Sequence, residues 1–338
     1  MSFGWRLLIL LVILCVAYLW KSSQLIIAPK RFISPYNPAD FGLKYENITL
    51  TTEDGIELKA WFIPVSEVRP QEVRPQEVRP QGDERCDLEP TIIICHGYGA
   101  DKGDCIDIAQ FLHPAGYNVL MFDFRGHGQS GGATSRGKYC SLGYYECEDL
   151  KTAIRWLKSN STYRGSRVLK GEGVSPLPLK VGAIGISMGG TVAFMVAAET
   201  KELSAVVSDG AYLSFHSAVT SFAKCHFKAP KYPFIPPAVW ASGLRLKFNP
   251  SELNLEKFMS KISPTPILII HGSEDKEIQP RDANIIFEKA LEPKELWIVD
   301  GAHHLESHYV AREDYERKVI TFFDRALKNK TTEASNYK

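Results

Sequence analysis

Val181-Gly182-Ala183-Ile184-Gly185-Ile186-Ser187-Met188-Gly189-Gly190-Thr191 is the stretch whose reading decides the fold. The first six residues are uncharged and apolar or glycine, as in a strand buried on both faces of a parallel sheet. The last four open a helix of small residues. Between them lies G-x-S-x-G, Gly185 to Gly189. A turn this tight between strand and helix is strained, so glycines two residues either side of the serine avoid backbone clashes. The turn lifts Ser187 Oγ above the sheet. It also leaves the Met188 N–H at a helix N-terminus, where it can donate to a developing oxyanion. The five letters occur by chance; strand before and helix after make Ser187 a candidate nucleophile.

Working outward, the same rhythm recurs. Short apolar runs at 91–95, 117–124, 203–208, 266–270 and 295–299 alternate with amphipathic stretches at 101–115, 144–159, 188–199, 281–291 and 312–327. Strand, helix, strand repeated this way predicts an α/β protein with a doubly wound, mostly parallel sheet. Two further strands, 45–52 and 56–65, are joined by Glu53-Asp54-Gly55, a hairpin signal. Two stretches break the rhythm: a Gly/Pro-containing insertion at 164–179, and 211–263, rich in aromatics and prolines. The second is long enough to be a lid over a binding site, and its apolar character suits an acyl group.

A serine nucleophile needs a base, and the base an orienting carboxylate. The strand at 266–270 is followed by His271-Gly272-Ser273-Glu274-Asp275, and that at 295–299 by Asp300-Gly301-Ala302-His303-His304. Serine, acid, histidine is the chain order such a fold requires. From spacing alone the acid is Glu274 or Asp275, with Asp209 in reserve, and the base is His303 or His304. A second oxyanion donor is expected after an earlier strand, where the glycines of His96-Gly97-Tyr98-Gly99 let backbone approach a substrate; the Tyr98 N–H is the candidate. His96 itself reads as structural.

Those segments, together with Asp123-Phe124-Arg125-Gly126-His127-Gly128-Gln129-Ser130, resemble the α/β-hydrolase superfamily across about 45–327. More narrowly, they resemble membrane-anchored members of bacterial type, related to the serine aminopeptidase and acylglycerol lipase-like group. The resemblance implies Asp275 as the acid of an H-G-x-x-D segment and His304 as the base. It implies two-step acyl transfer through an acyl-enzyme, with no metal or organic cofactor. The 123–130 loop is a family marker whose expected role is a structural turn at the site's rim.

The N-terminus meets a different solvent. Residues 7–20 are all apolar, and 3–5 extend the run past Arg6, whose long side chain can snorkel; a span of about 18–20 residues suits a bilayer. A cleaved signal would end in small residues, whereas this run ends Val16-Ala17-Tyr18-Leu19-Trp20-Lys21. The expectation is a membrane anchor over 1–21, a connector over 22–44, the hydrolase domain over 45–330 and a polar tail over 331–338. Charges flank both ends of the span, so orientation is left open. Within 66–90, Glu67-Val68-Arg69-Pro70-Gln71 recurs at 72–76 and 77–81, reading as a solvated surface loop.

Composition excludes other classes. Net charge is +1, from 40 Lys and Arg against 39 Asp and Glu, without the basic surplus of a nucleic-acid binder. The seven cysteines show no metal-ligand spacing or disulfide framework. Walker and Rossmann glycine patterns are missing. The expected partner is a small ester or acyl substrate, with a membrane through the N-terminal helix; oligomeric state is not read from these residues. Competing readings are a peptidase or amidase on the same triad, and a membrane-tethered binding protein that keeps the fold without catalysis.

Overall fold

The computed structural model describes residues 3–65, 89–131, 138–160 and 179–328. The repeat of 67–81, the insertion of 164–178 and the 331–338 tail lie outside them.

One mixed sheet of eight strands organises the chain: β1 (Glu46–Thr51), β2 (Glu57–Ile63), β3 (Thr91–Cys95), β4 (Asn118–Phe122), β5 (Val181–Ile186), β6 (Ala205–Asp209), β7 (Ile267–Gly272) and β8 (Lys294–Val299). Their order is β1-β2-β4-β3-β5-β6-β7-β8, and β2 is antiparallel to both its neighbours while the others run parallel. The 53–55 turn makes the expected hairpin, with Gly55 at φ +79°, a conformation glycine adopts without penalty. Strands β3, β6 and β7 are buried along their whole length, which is why they read as unbroken apolar runs.

Helices cover both faces. Helices α3 (Glu146–Ser159), α4 (Met188–Thr200) and α7 (Pro280–Lys289) close one side, through Leu150, Ile154, Phe194 and Ile286. Helices α2 (Ile106–Leu112) and α9 (Arg312–Phe323) close the other, through Phe111, Tyr315 and Phe323. The 101–115 expectation resolves into a 3₁₀ turn, Lys102–Cys105, ahead of α2, because the Asp101 carboxylate caps the Gly103 and Asp104 amides; the tighter turn presents those donors first.

Between β6 and β7 the chain leaves the sheet as α5 (Phe215–Phe227) and α6 (Lys231–Leu246), then returns through short 3₁₀ turns. A four-residue α8 (Ser307–Val310) precedes α9. The N-terminal helix α1 spans Phe3–Ile27, long and apolar enough to cross a membrane. It runs six residues past the 1–21 range expected of the anchor, into the stretch read as connector. The reason is visible in Leu25-Ile26-Ile27: Ile27 is buried, Ser23 Oγ turns back to the Trp20 carbonyl at 2.9 Å, and Pro29 ends the helix.

Candidate active site

At the carboxyl end of β5 the backbone reverses at Ser187, with φ +50° and ψ −112°. A non-glycine residue there is strained, and only a turn fixed from both sides sustains it. Both sides are on hand. The Ser187 N–H donates to the Asp209 carbonyl of β6 at 2.8 Å, and the Gly190 N–H caps the Ser187 carbonyl at 3.0 Å. A Cβ on Gly185 would lie 2.3 Å from the Gly189 carbonyl, and one on Gly189 would lie 2.1 Å from the Cys95 carbonyl oxygen. Strand, elbow and helix meet closer than any side chain allows, which is the physical content of the motif.

The loop after β8 brings His304 over the serine. His304 Nε2 sits 3.1 Å from Ser187 Oγ, and its Nδ1 lies 2.7 Å from Asp275 Oδ2. Gly210 leaves room for that ring, since a Cβ there would come within 3.2 Å of His304 Cε1. The neighbouring His303 is exposed and turns its Nδ1 to the Glu274 carbonyl at 3.0 Å. Glu274 is exposed as well, whereas Asp275 is buried. The structure thus brings together Ser187, His304 and Asp275 and leaves His303 and Glu274 outside. Asp209, the reserve acid, is also buried, and its carboxylate accepts from Ser307 Oγ at 2.9 Å; burial pushes its carboxyl up to about 6.

Asp275 is prepared to remain a carboxylate. Burial acts to raise its pKa, but donors on both oxygens outweigh it and hold the group well below the usual carboxylate range. Oδ1 accepts the Glu277 and Ile278 amides at 2.9 and 2.8 Å. Oδ2 faces both His304 and His271, the latter at 3.2 Å. His271 Nε2 also lies 2.8 Å from the Ile278 carbonyl while its Nδ1 has no partner among the described residues, so the hydrogen bonds place the ring proton on Nε2. His304, donating from Nδ1 to Asp275, keeps the Nε2 lone pair toward Ser187, the tautomer that can take a proton from the serine.

The His96–Gly99 loop lies against the serine: a Cβ on Gly97 would be 3.5 Å from Ser187 Cβ. Among the described residues neither the Tyr98 nor the Met188 N–H is spent on a loop acceptor, and Met188, the first residue of α4, has no intrahelical acceptor for its N–H. Tyr98 lines the same cavity as Ser187. His96 is structural, as its sequence position suggested: Nε2 accepts the Phe124 N–H at 3.0 Å and Nδ1 lies 2.7 Å from the Gly97 carbonyl, with burial holding its pKa below the ordinary value. The 123–130 loop is likewise a framework. Asp123 pairs with Lys102 at 2.8 Å, and Arg125 joins Asp149 and Asp54 across the rim.

The serine opens into a cavity of about 160 Å³, lined mainly by apolar side chains. Leu142, Tyr212 and Ile278 come from the sheet side, Ala218, Val219 and Phe222 from α5, and Leu25 and Ile26 from α1. Sequence reasoning assigned the last two to a connector. Their signal was the apolar triplet 25–27 after the polar Ser22-Ser23-Gln24. His271 was also passed over, although it stands at the end of β7, four residues before the acid.

An elbow serine, a histidine and a carboxylate in series at the strand ends of this sheet define a class: the chain belongs to the α/β-hydrolase superfamily and is a serine hydrolase. The family described as serine aminopeptidase, S33, matches residues 87–237, and that described as serine hydrolase (FSH1) matches residues 174–313. Among solved structures, the Pyrococcus furiosus esterase Pf2001 superposes with a TM-score of 0.66 at 26% identity, over 89% of this chain and 98% of that one. The Pyrococcus horikoshii acylaminoacyl peptidase shares the fold at a TM-score of 0.58 and 16% identity, over 88% of this chain and 44% of its own. The uncharacterized protein YqkD of Bacillus subtilis is 29% identical over 240 residues, 70% of this chain and 72% of YqkD.

Proposed function

We propose that the protein hydrolyses carboxylic esters of small or lipid-like molecules at Ser187, and that α1 holds it to a membrane. The observation that carries the reading is the continuous relay from Ser187 Oγ through His304 to Asp275, at the floor of an apolar cavity. In the proposed mechanism His304 Nε2 accepts the Ser187 proton as Oγ attacks the ester carbonyl. Asp275 stabilises the imidazolium, and the Met188 and Tyr98 amides hold the oxyanion. His304 then returns the proton to the departing alcohol. Water, activated by the same histidine, releases the acid from the acyl-enzyme and restores Ser187. The serine proton leaves with the alcohol, and the proton that His304 returns to Ser187 comes from the hydrolytic water.

The ester reading is supported by the esterase likeness and by the lining. Amide hydrolysis on the same triad has one residue in its favour, Glu277, a carboxylate in the cavity wall that could meet a peptide's amino terminus. That carboxylate already faces His226 at 3.5 Å. Hydrolysis of p-nitrophenyl butyrate without cleavage of aminoacyl-naphthylamides is the expected result. The reverse preference would replace the ester reading with the peptidase one. A folded protein inert toward both would return the binding-protein reading to the front.

The anchoring half rests on α1. Residues 3–17 are exposed to the last one, a free apolar cylinder of roughly 22 Å that water does not favour. Tyr18, Trp20 and Lys21 follow where an interfacial belt would sit. The 211–263 segment, in this reading, is the lid between that interface and the serine.

A further inference from the structure

A second cavity lies behind the first. It occupies about 280 Å³ between α1 and the lid, lined by Tyr18, Ser22, Phe227, Ala229, Phe234 and Ala238, with almost no polar surface. It shares four wall residues with the Ser187 cavity: Leu25 and Ile26 of α1, Val219 and Phe222 of α5. The two spaces are therefore neighbours separated by a few apolar side chains. Along α1 the wall residues are 18, 22, 25 and 26, a single helical stripe. From Tyr18 to Leu25 that stripe rises roughly 10 Å. It starts where the unbroken exposed run of α1 ends and finishes in the wall of the Ser187 cavity.

The outer end meets a surface suited to lipid. Phe234 touches α1 directly, its carbonyl accepting from Tyr18 Oη at 2.7 Å with the rings edge to face. Phe227, which shares the wall of the second cavity with Tyr18 and Phe234 of the anchor contact, is 57% exposed, and Tyr232 is 69% exposed. Exposed Lys224, Lys228 and Lys231 lie close to these aromatics in the chain, as cations do beside anionic headgroups. The Ser187 cavity alone is below the roughly 300–1,000 Å³ of usual ligand sites, enough for a short acyl group only.

Resting on the ester-hydrolase reading above, we infer that the substrate is a long-chain acyl ester resident in the bilayer. Its chain enters sideways between α1 and the lid and lies along the Tyr18–Ser22–Leu25 stripe, which delivers the ester carbonyl to Ser187. The anchor helix is thus one wall of the substrate site. Val219 and Phe222 are the side chains that must turn aside for a chain to pass.

The test uses the full chain reconstituted in vesicles of phosphatidylcholine with a minor fraction of phosphatidylglycerol. Two substrates are compared, p-nitrophenyl acetate in the water and p-nitrophenyl palmitate in the lipid. Ser22→Trp and Ala229→Trp fill the outer cavity from opposite walls, and neither residue lines the Ser187 cavity. Each is expected to lower palmitate kcat/KM by at least about tenfold, the scale on which an apolar pocket discriminates chain length, and to leave acetate turnover within about twofold. Equal loss on both esters in both variants, or loss on neither, overturns the inference. Palmitate in the protein's own vesicles is expected to be consumed well ahead of palmitate in separate vesicles; equal rates overturn lateral entry. Wild type inert toward acetate and palmitate overturns the ester reading itself, and the inference with it.

Discussion

The rim of the catalytic sheet and the α1–lid cap are built in opposite ways. At the rim, charges are buried and locked: Arg125 Nε and Asp149 Oδ1 meet at 2.8 Å with both side chains inaccessible, and Lys102 pairs Asp123 in the same way. At the cap, the polar contacts are only partly buried. Arg245 bonds Ser23 Oγ at 2.8 Å and lies 4.1 Å from the centre of the Trp20 ring, while aromatic side chains nearby stay exposed. A rim of buried pairs can open only at large cost. A cap held by exposed and half-buried bonds can part from its neighbour at smaller cost. On the reading proposed above, chemistry belongs beside the first and substrate passage on the second.

The largest effect should come from the loop that supplies the base. His304→Ala should lower ester kcat by about 10⁴–10⁶-fold, and His303→Ala by less than about threefold; comparable losses in the two variants would remove the geometric distinction between them. Asp275→Asn should cost about 10³–10⁴-fold in kcat, since the amide no longer holds the base in its working tautomer.

In wild type, the sign of the pH effect follows from Asp275. Its carboxyl lies well below the ordinary range, so Asp275 stays ionised through the range in which a free carboxylate would be protonated. Activity should rise with pH, and the acid limb of log kcat/KM should show unit slope, read from a profile between pH 4 and 7. A slope of two would mean that Asp275 is protonated in the same range and is not held low as the geometry implies.

Stability should divide along the same line. Arg125→Ala strands Asp149 and should cost about 3–5 kcal/mol by denaturant unfolding. Gly189→Ala pushes a methyl into the Cys95 carbonyl and should cost about 1–3 kcal/mol, with activity falling as the elbow shifts. The smallest change is expected at the cap. Arg245→Ala should cost no more than about 1 kcal/mol globally, yet it should speed hydrogen exchange across α5 and α6 selectively. Uniform exchange throughout the domain would show cap and rim to be one cooperative unit.

How much of this was legible in the sequence follows the same division. Ser187, its glycines, and the strand-end positions of Asp275 and His304 could be read because each depends on a few consecutive residues: apolar run, turn, helix start. The fold followed from repeating that local pattern. The choices between His303 and His304, and between Glu274 and Asp275, turn on which way each side chain faces once the loops close, and spacing is blind to that. The cap was legible only as composition. Tyr18 meets Phe234 across 216 residues and Arg245 meets Trp20 across 225, and no periodicity in either segment encodes its partner. Leu25-Ile26-Ile27 was read as connector, since three apolar residues do not encode the segment they pack against.

The most direct test of the central claim is labelling of the full-length protein with a fluorophosphonate, followed by mass spectrometry of the modified peptide. One adduct per chain is expected, on the peptide carrying Ser187, absent in Ser187→Ala and strongly slowed in His304→Ala. An adduct on any other residue, or a folded wild type that takes none, would contradict the assignment of Ser187, His304 and Asp275 as the catalytic relay.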